Sequence, residues 1–81
     1  MEEYLEEMGA LVFENPSYSS ALIGCSIDGN AIYDYDLMIN YLVETDGMTT
    51  DEAVEFIDYN TLRTIPYMQP LPPIILYKKN D

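Results

Sequence analysis

Two alternating apolar runs meet at an Asp-Gly pair in SALIGCSI-DG-NAIYDY, residues 20 to 35, and this stretch limits the fold most strongly. Asp-Gly is favoured in two-residue type I′ hairpin turns, where both central residues need positive φ. With Asp28 and Gly29 as that turn, Ile27 faces Asn30, Cys25 faces Ile32, and Gly24 faces Tyr33. The two-residue period then gathers Ala21, Ile23, Cys25, Ile27 and Ile32 on one face, the expected core face. Tyr33 falls on the opposite face, across the bare backbone of Gly24, an aromatic-over-glycine pairing that stabilises strands. Cys25 reads as a small buried hydrophobe, because the chain has no histidine to activate a thiol.

Helix signals follow directly. Either Asp34 or Asp36 can cap a helix running through LMINYLVETD to Gly47, which suits the left-handed position just past a helix end. Leu37, Met38, Tyr41, Leu42 and Val43 form its apolar stripe. A second helix opens on a capping box, Thr49 with Glu52 three residues later, and Met48 can staple against Ala53. Val54, Ile57 and Thr61 or Leu62 line its inner side, with Ala53 and Phe56 alongside. It is expected to stop between residues 60 and 64, since Ile65 precedes Pro66 and is pushed toward extended backbone.

Ahead of the hairpin, ALVF from Ala10 is strand-prone and ENPSYSS is a loop. Residues 1 to 9 either fray or form a short helix with Tyr4, Leu5 and Met8 on one side. Beyond the helices, PYMQPLPP is a proline-stiffened connector, and PIILYK reads as a final strand. The expected architecture is α+β: a small, mostly antiparallel sheet, made of the hairpin and the C-terminal strand, with two helices packed on one face. Residues 10 to 78 are taken as one domain, with 79 to 81 as a tail.

At 81 residues the chain can bury only a small core, and a roomy catalytic cleft is not expected. At 48% hydrophobic it is nevertheless too apolar for a disordered acidic tail. The net charge of −12 is unevenly spread: the only cations are Arg63, Lys78 and Lys79, so residues 1 to 62 carry none. Such a body repels nucleic acid and anionic membrane and attracts basic surfaces at salt-sensitive rates. The plainer alternative is that acidity keeps a small protein soluble. The start, MEEYLEEMGALVFEN, is acidic where a leader would be basic, no apolar run approaches ~18 residues, and the single cysteine precludes an internal disulfide. A cytoplasmic protein of a bacterial cell is expected.

Most chemistries lack their parts. No histidine is present for acid–base work near neutral pH, and no nucleophile elbow, P-loop or dinucleotide fingerprint occurs. A glycosidase-like carboxylate pair needs a cleft that this length hardly permits. DGNAIYDYD resembles a calcium loop only briefly: with Asp28 first, Ile32 and Tyr33 fall where a ligand and a glycine belong. Adventitious divalent-ion binding by clustered carboxylates is the remaining metal reading. Neither catalysis, a cofactor nor a dedicated metal site is expected, and direct nucleic-acid binding lacks the cations to neutralise phosphates.

The carboxylates themselves carry the functional signal. Asp51, Glu55 and Asp58 recur at i, i+4 and i+7 along the second helix, where like charges cost a few tenths of a kcal/mol per pair. Glu44 and Asp46 sit in the last turn of the first helix, where the dipole prefers cations. Carboxylates one turn apart lie roughly 6 Å from one another, a spacing comparable to phosphates along a nucleic-acid strand. Glu44, Asp46, Asp51, Glu55 and Asp58 are therefore candidate partner-binding charges, with Tyr35 and Tyr59 as candidate aromatic anchors. They suit an inhibitor that fills the basic groove of a nucleic-acid-binding protein. The alternative is a structural or adaptor module, a homodimer formed through an edge strand such as PIILY.

NAIYDYDLMINYLVETDGMTTDEAVEFIDYNTLRTIPYM also resembles a set of small uncharacterised proteins from Firmicutes, their phages and prophages. The shared pattern is a YDYD start, D-G-M-T-x-E/D-E-A, and D/E-Y-N-T-x-R-x-x-P-Y, and the likeness covers about residues 11 to 77. It implies a phage context in which small acidic proteins, anti-CRISPR proteins among them, antagonise host defence or transcription. A Cas effector, with its basic heteroduplex channel and PAM-reading arginines, is then one suitable target. Arg63, inside the shared ending, is expected to pair with Asp58 or Asp34 and fix the helix end.

Overall fold

The computed structural model describes residues 5, 7 and 9–78. A short 3-10 turn, Ser19–Ala21, leads into strand β1, Leu22–Cys25, and strand β2, Ala31–Asp34. Helix α1, Tyr35–Asp46, and helix α2, Thr50–Phe56, follow. The second helix continues through a π-helical turn, Ile57–Thr61, a last α-turn, Leu62–Thr64, and a 3-10 turn, Ile65–Tyr67, before strand β3, Ile74–Leu76. The fold is α+β with a three-stranded sheet in the order β1-β2-β3.

The sheet is mixed rather than mostly antiparallel. β1 and β2 pair antiparallel as a hairpin, but β3 lies parallel to β2, with Ile32 opposite Ile74 and Asp34 opposite Leu76. The physical reason is the connection: the chain leaves β2 through both helices and returns by a crossover, which delivers a parallel neighbour.

The hairpin also differs from expectation, by one residue. Ser26 N–H donates to Asn30 O at 2.8 Å, Gly29 N–H donates to Ser26 O at 2.9 Å, and Gly29 has φ 92°. Ile27, Asp28 and Gly29 thus make a three-residue loop closed by a left-handed glycine, not a two-residue turn. Asn30 stabilises it further, its N–H donating to Ser26 Oγ at 3.0 Å and its Nδ2 to Pro72 O at 2.8 Å. The register becomes Cys25 opposite Ala31, Gly24 opposite Ile32 and Leu22 opposite Tyr33, with an irregularity at Ile23. A one-residue slip exchanges the two faces of a strand pair. Tyr33 is consequently buried with Ala31, while Ile23 and Cys25 are exposed, Ile27 entirely so. Of the expected core face, Ala21 alone is fully buried.

The helix signals were accurate at both caps. Asp34 caps α1, its Oδ1 accepting from Leu37 N–H at 3.0 Å, and Gly47 ends the helix at φ 69°. Met38 and Leu42 are buried on α1, with Leu37, Tyr41 and Val43 packed beside them. At α2, Glu52 N–H donates to Thr49 Oγ1 at 3.1 Å and Thr49 N–H to Glu52 Oε1 at 2.9 Å, completing the capping box. Ala53, Ile57 and Thr61 are buried. Ile65, by contrast, stays helical at φ −56° and ψ −44° despite the proline after it, and its carbonyl accepts from Met68 N–H at 2.9 Å. That closed turn outweighs the pre-proline preference for extended backbone.

Residues 10–13 form no strand, although their composition favours one. The segment instead crosses the body and delivers Phe13 into the core, against Tyr18 and Tyr33. Leu11 N–H donates to Leu71 O at 3.1 Å, and Phe13 N–H to the Tyr33 hydroxyl at 3.2 Å. The expectation for residues 1 to 9 lies mostly outside the described residues, as does the tail from Lys79. Leu5 is described and is fully buried, its carbonyl accepting from Ala10 N–H at 2.9 Å.

An aromatic cluster fills the centre. Phe13 meets Tyr33 at 4.8 Å and Tyr18 at 5.5 Å between ring centroids, and Tyr18 meets Tyr41 at 5.5 Å. Tyr18 adopts a left-handed backbone, φ 51°, which costs about 1–2 kcal/mol outside glycine. Its fully buried ring and its hydroxyl's bond to Thr61 Oγ1 on the π-turn offset that cost.

Candidate functional site

Three residues, Gly47, Met48 and Thr49, join α1 to α2, and the expected charges gather around this corner. Glu44 and Asp46 are exposed on the last turn of α1, Asp51 and Glu52 on the first turn of α2. Glu55 and Asp58 continue along the second helix and are exposed as well. The Thr49 N–H holds the Glu52 carboxylate below its ordinary pKa, with the Thr49 side chain as a second cause. Asp51 and Glu52 also face the positive end of the α2 dipole, whereas Glu44 and Asp46 lie at the negative end of α1.

The two cations among the described residues, Arg63 and Lys78, do not pair with these carboxylates. Lys78 Nζ lies 3.0 Å from Asp34 Oδ2 on a side chain that is only 1% exposed. Arg63, expected on Asp58 or Asp34, instead sets its guanidinium 5.4 Å from the centroid of the Tyr59 ring. Among the described residues, Glu44, Asp46, Asp51 and Glu55 form no ion pair.

The two candidate aromatic anchors separate. Tyr59 is 63% exposed and remains available beneath Arg63. Tyr35 is half-buried: its hydroxyl donates to Asp58 Oδ1 at 2.9 Å, and its ring stacks on Tyr77 at 4.8 Å. Burial, with the adjacent Asp58 carboxylate, pushes the Tyr35 phenol up to about 12. Tyr35 is thus a clasp between the two helices, not a free anchor, and Asp58 is partly committed to it.

No protein family, curated protein or solved structure matches the chain. No helix among the described residues is long and apolar enough to cross a membrane. Among the same residues, no group of three or more His, Cys, Asp or Glu side chains is arranged to hold a metal ion.

Sequence reasoning missed one feature of this surface. Met48, Glu52, Glu55, Phe56, Tyr59 and Asn60 line a shallow hollow of 350 Å³ beside the carboxylates. Phe56, expected as a flank of the buried stripe, is half-buried and also lines this hollow. The π-turn that begins at Ile57 has no sequence signature that would have found it, because its wider hydrogen-bonded ring, Leu62 N–H to Ile57 O, is set by packing.

Proposed function

We propose that this chain is an acidic inhibitor that occupies the basic groove of a nucleic-acid-handling protein, acting as a mimic of a phosphate row. The observation that supports it is the set of exposed carboxylates from Glu44 to Asp58 without an ion-paired cation among the described residues. Helical backbone carries them, so binding has only the side chains left to order. A Cas effector in the cytoplasm of a bacterial host is the target class that the phage-like sequence pattern suggests, its PAM-reading arginines being the groups to cover. The protein neither binds nucleic acid itself nor catalyses a reaction in this reading.

The test is capture from a Firmicute lysate on immobilised protein, eluted with rising salt, beside a variant carrying Asp51→Lys and Glu55→Lys. A basic nucleic-acid enzyme that elutes as salt rises, and is lost with the variant, is the expected result. Capture that ignores both salt and charge reversal removes the proposal.

A second reading rests on the sheet edge. β3 is a terminal strand, and Ile74 and Leu76 are 40% and 42% exposed on it. An adaptor homodimer through that edge would persist in high salt and dissociate on Ile75→Pro, which removes a backbone donor. Size-exclusion chromatography distinguishes it from a monomeric inhibitor.

A further inference from the structure

Phe56 and Asn60 stand between two hollows and line both. On one side is the acidic hollow with Glu52 and Glu55. On the other, residues 11–16 and the π-turn enclose a cleft of 410 Å³ whose apolar walls include Leu11, Val12, Phe56 and Met68. These four side chains are only half-buried, so they present apolar surface to the opening. The hydroxyls beside them are already engaged, Thr61 with Tyr18 and Thr64 with the Thr61 carbonyl at 2.7 Å.

We infer that the two hollows form one docking groove for a cationic peptide segment carrying an apolar anchor side chain. The anchor enters the cleft beside Phe56 and Met68, and a neighbouring Lys or Arg of the segment meets Glu55 and Glu52. Charge complementarity selects this occupant: Glu52 and Glu55 line the hollow, and Glu55 has no cation among the described residues. A second copy of this chain, at net charge −12, is disfavoured there. The shared wall residues make anchor and cation near neighbours in the partner's sequence. A π-turn lies along the wall, and such turns are frequent at functional sites. The inference rests on the acidic-surface reading and deepens it, since bare charge mimicry needs no apolar anchor.

The test uses the full chain and two fluorescein-labelled peptides, one with a Phe flanked on both sides by Lys and Arg, the other with Ser in place of that Phe. Anisotropy at low salt is expected to show the Phe peptide binding about tenfold or more tighter, the worth of burying most of an aromatic side chain. Phe56→Ser should erase that difference by weakening the Phe peptide, and Glu55→Lys should weaken both peptides. If Phe56→Ser loses its dispersed amide spectrum, Met68→Gln serves the same purpose. Equal binding of the two peptides overturns the groove and leaves the acidic-surface reading standing. Binding of neither peptide overturns it too. Lysate capture that ignores salt and charge reversal overturns the parent reading separately.

Discussion

The Lys78 ammonium reaches back from the end of β3 to a carboxylate, Asp34, that simultaneously caps α1. One side chain therefore joins the last strand, the central strand and the start of the first helix. Burial by itself would raise the Asp34 pKa, but the Leu37 N–H, Lys78 and the Asp36 N–H outweigh it and hold the carboxyl below its usual range. A depressed folded pKa gives stability that is complete above the unfolded value of about 4 and fades as pH falls through the folded one. Asp34→Asn keeps a cap acceptor yet loses the charge, so it should cost roughly 1–2 kcal/mol at neutral pH and flatten the acid limb. Lys78→Met should cost about 1 kcal/mol or less, because Lys78 is 58% exposed and solvent screens the pair. Urea titrations at neutral and acid pH check both, and an unchanged acid limb in Asp34→Asn would refute the assignment.

Tyr18 and Thr61 make the second tie, from the loop before β1 to the π-turn. Tyr18→Phe leaves a buried Thr61 hydroxyl without that partner, at a cost of about 1–3 kcal/mol. Thr61→Val should cost a similar amount, and the double variant less than the sum, since both remove one bond. Chemical denaturation of the three variants reads the coupling directly, and strict additivity would mean that the bond contributes nothing.

At high pH the sign reverses. Tyr35 is pushed up to about 12, mainly by burial and then by its bond to Asp58, so its folded value lies above the unfolded value of about 10. Its contribution to stability is whole below about pH 10 and is lost as pH climbs toward about 12. Burial raises Tyr18 as well, with the same sign. Ultraviolet phenolate titration should show a late step that loses one phenol in Tyr35→Phe and moves down in part in Asp58→Asn. A titration in which Asp58→Asn leaves that step in place contradicts the bond.

Cys25 offers an inexpensive check of the hairpin. It is exposed on β1, so a thiol reagent should modify it under native conditions at a rate insensitive to added stabilisers. In the alternative two-residue register the thiol would face the core and react only on unfolding. Protection from the reagent would therefore restore the other register.

Much of this fold is local, and what is local was legible. Thr49 with Glu52, Asp34 ahead of α1 and Gly47 behind it each act through bonds spanning at most a few residues, so the order of types along the chain suffices to place them. The same holds for the net charge: no arrangement of the chain changes the absence of cations before Arg63, so an acidic surface was determined by sequence alone.

The hairpin register and the strand direction were not local. Asp28-Gly29 is compatible with a two- or a three-residue loop, and the choice went to the one that buries Tyr33 against Phe13 and ties Asn30 to Pro72. Both partners lie far away in sequence. Burying an aromatic ring outweighs the intrinsic preference of a turn pair, which is why Ile23 and Cys25 turned outward. The sites followed the same division. Glu44, Asp46, Asp51, Glu55 and Tyr59 remain on the surface as their helix positions implied, while Tyr35 was claimed by Asp58 and Tyr77, contacts formed only when distant segments meet. The cleft beside Phe56 likewise exists because residues 11–16 cross the π-turn. Sequence alone determined the helices, their caps and the charge. Tertiary packing decided which face of the hairpin is core, which cation meets which carboxylate, and where the surface opens, because those depend on contacts between residues tens of positions apart.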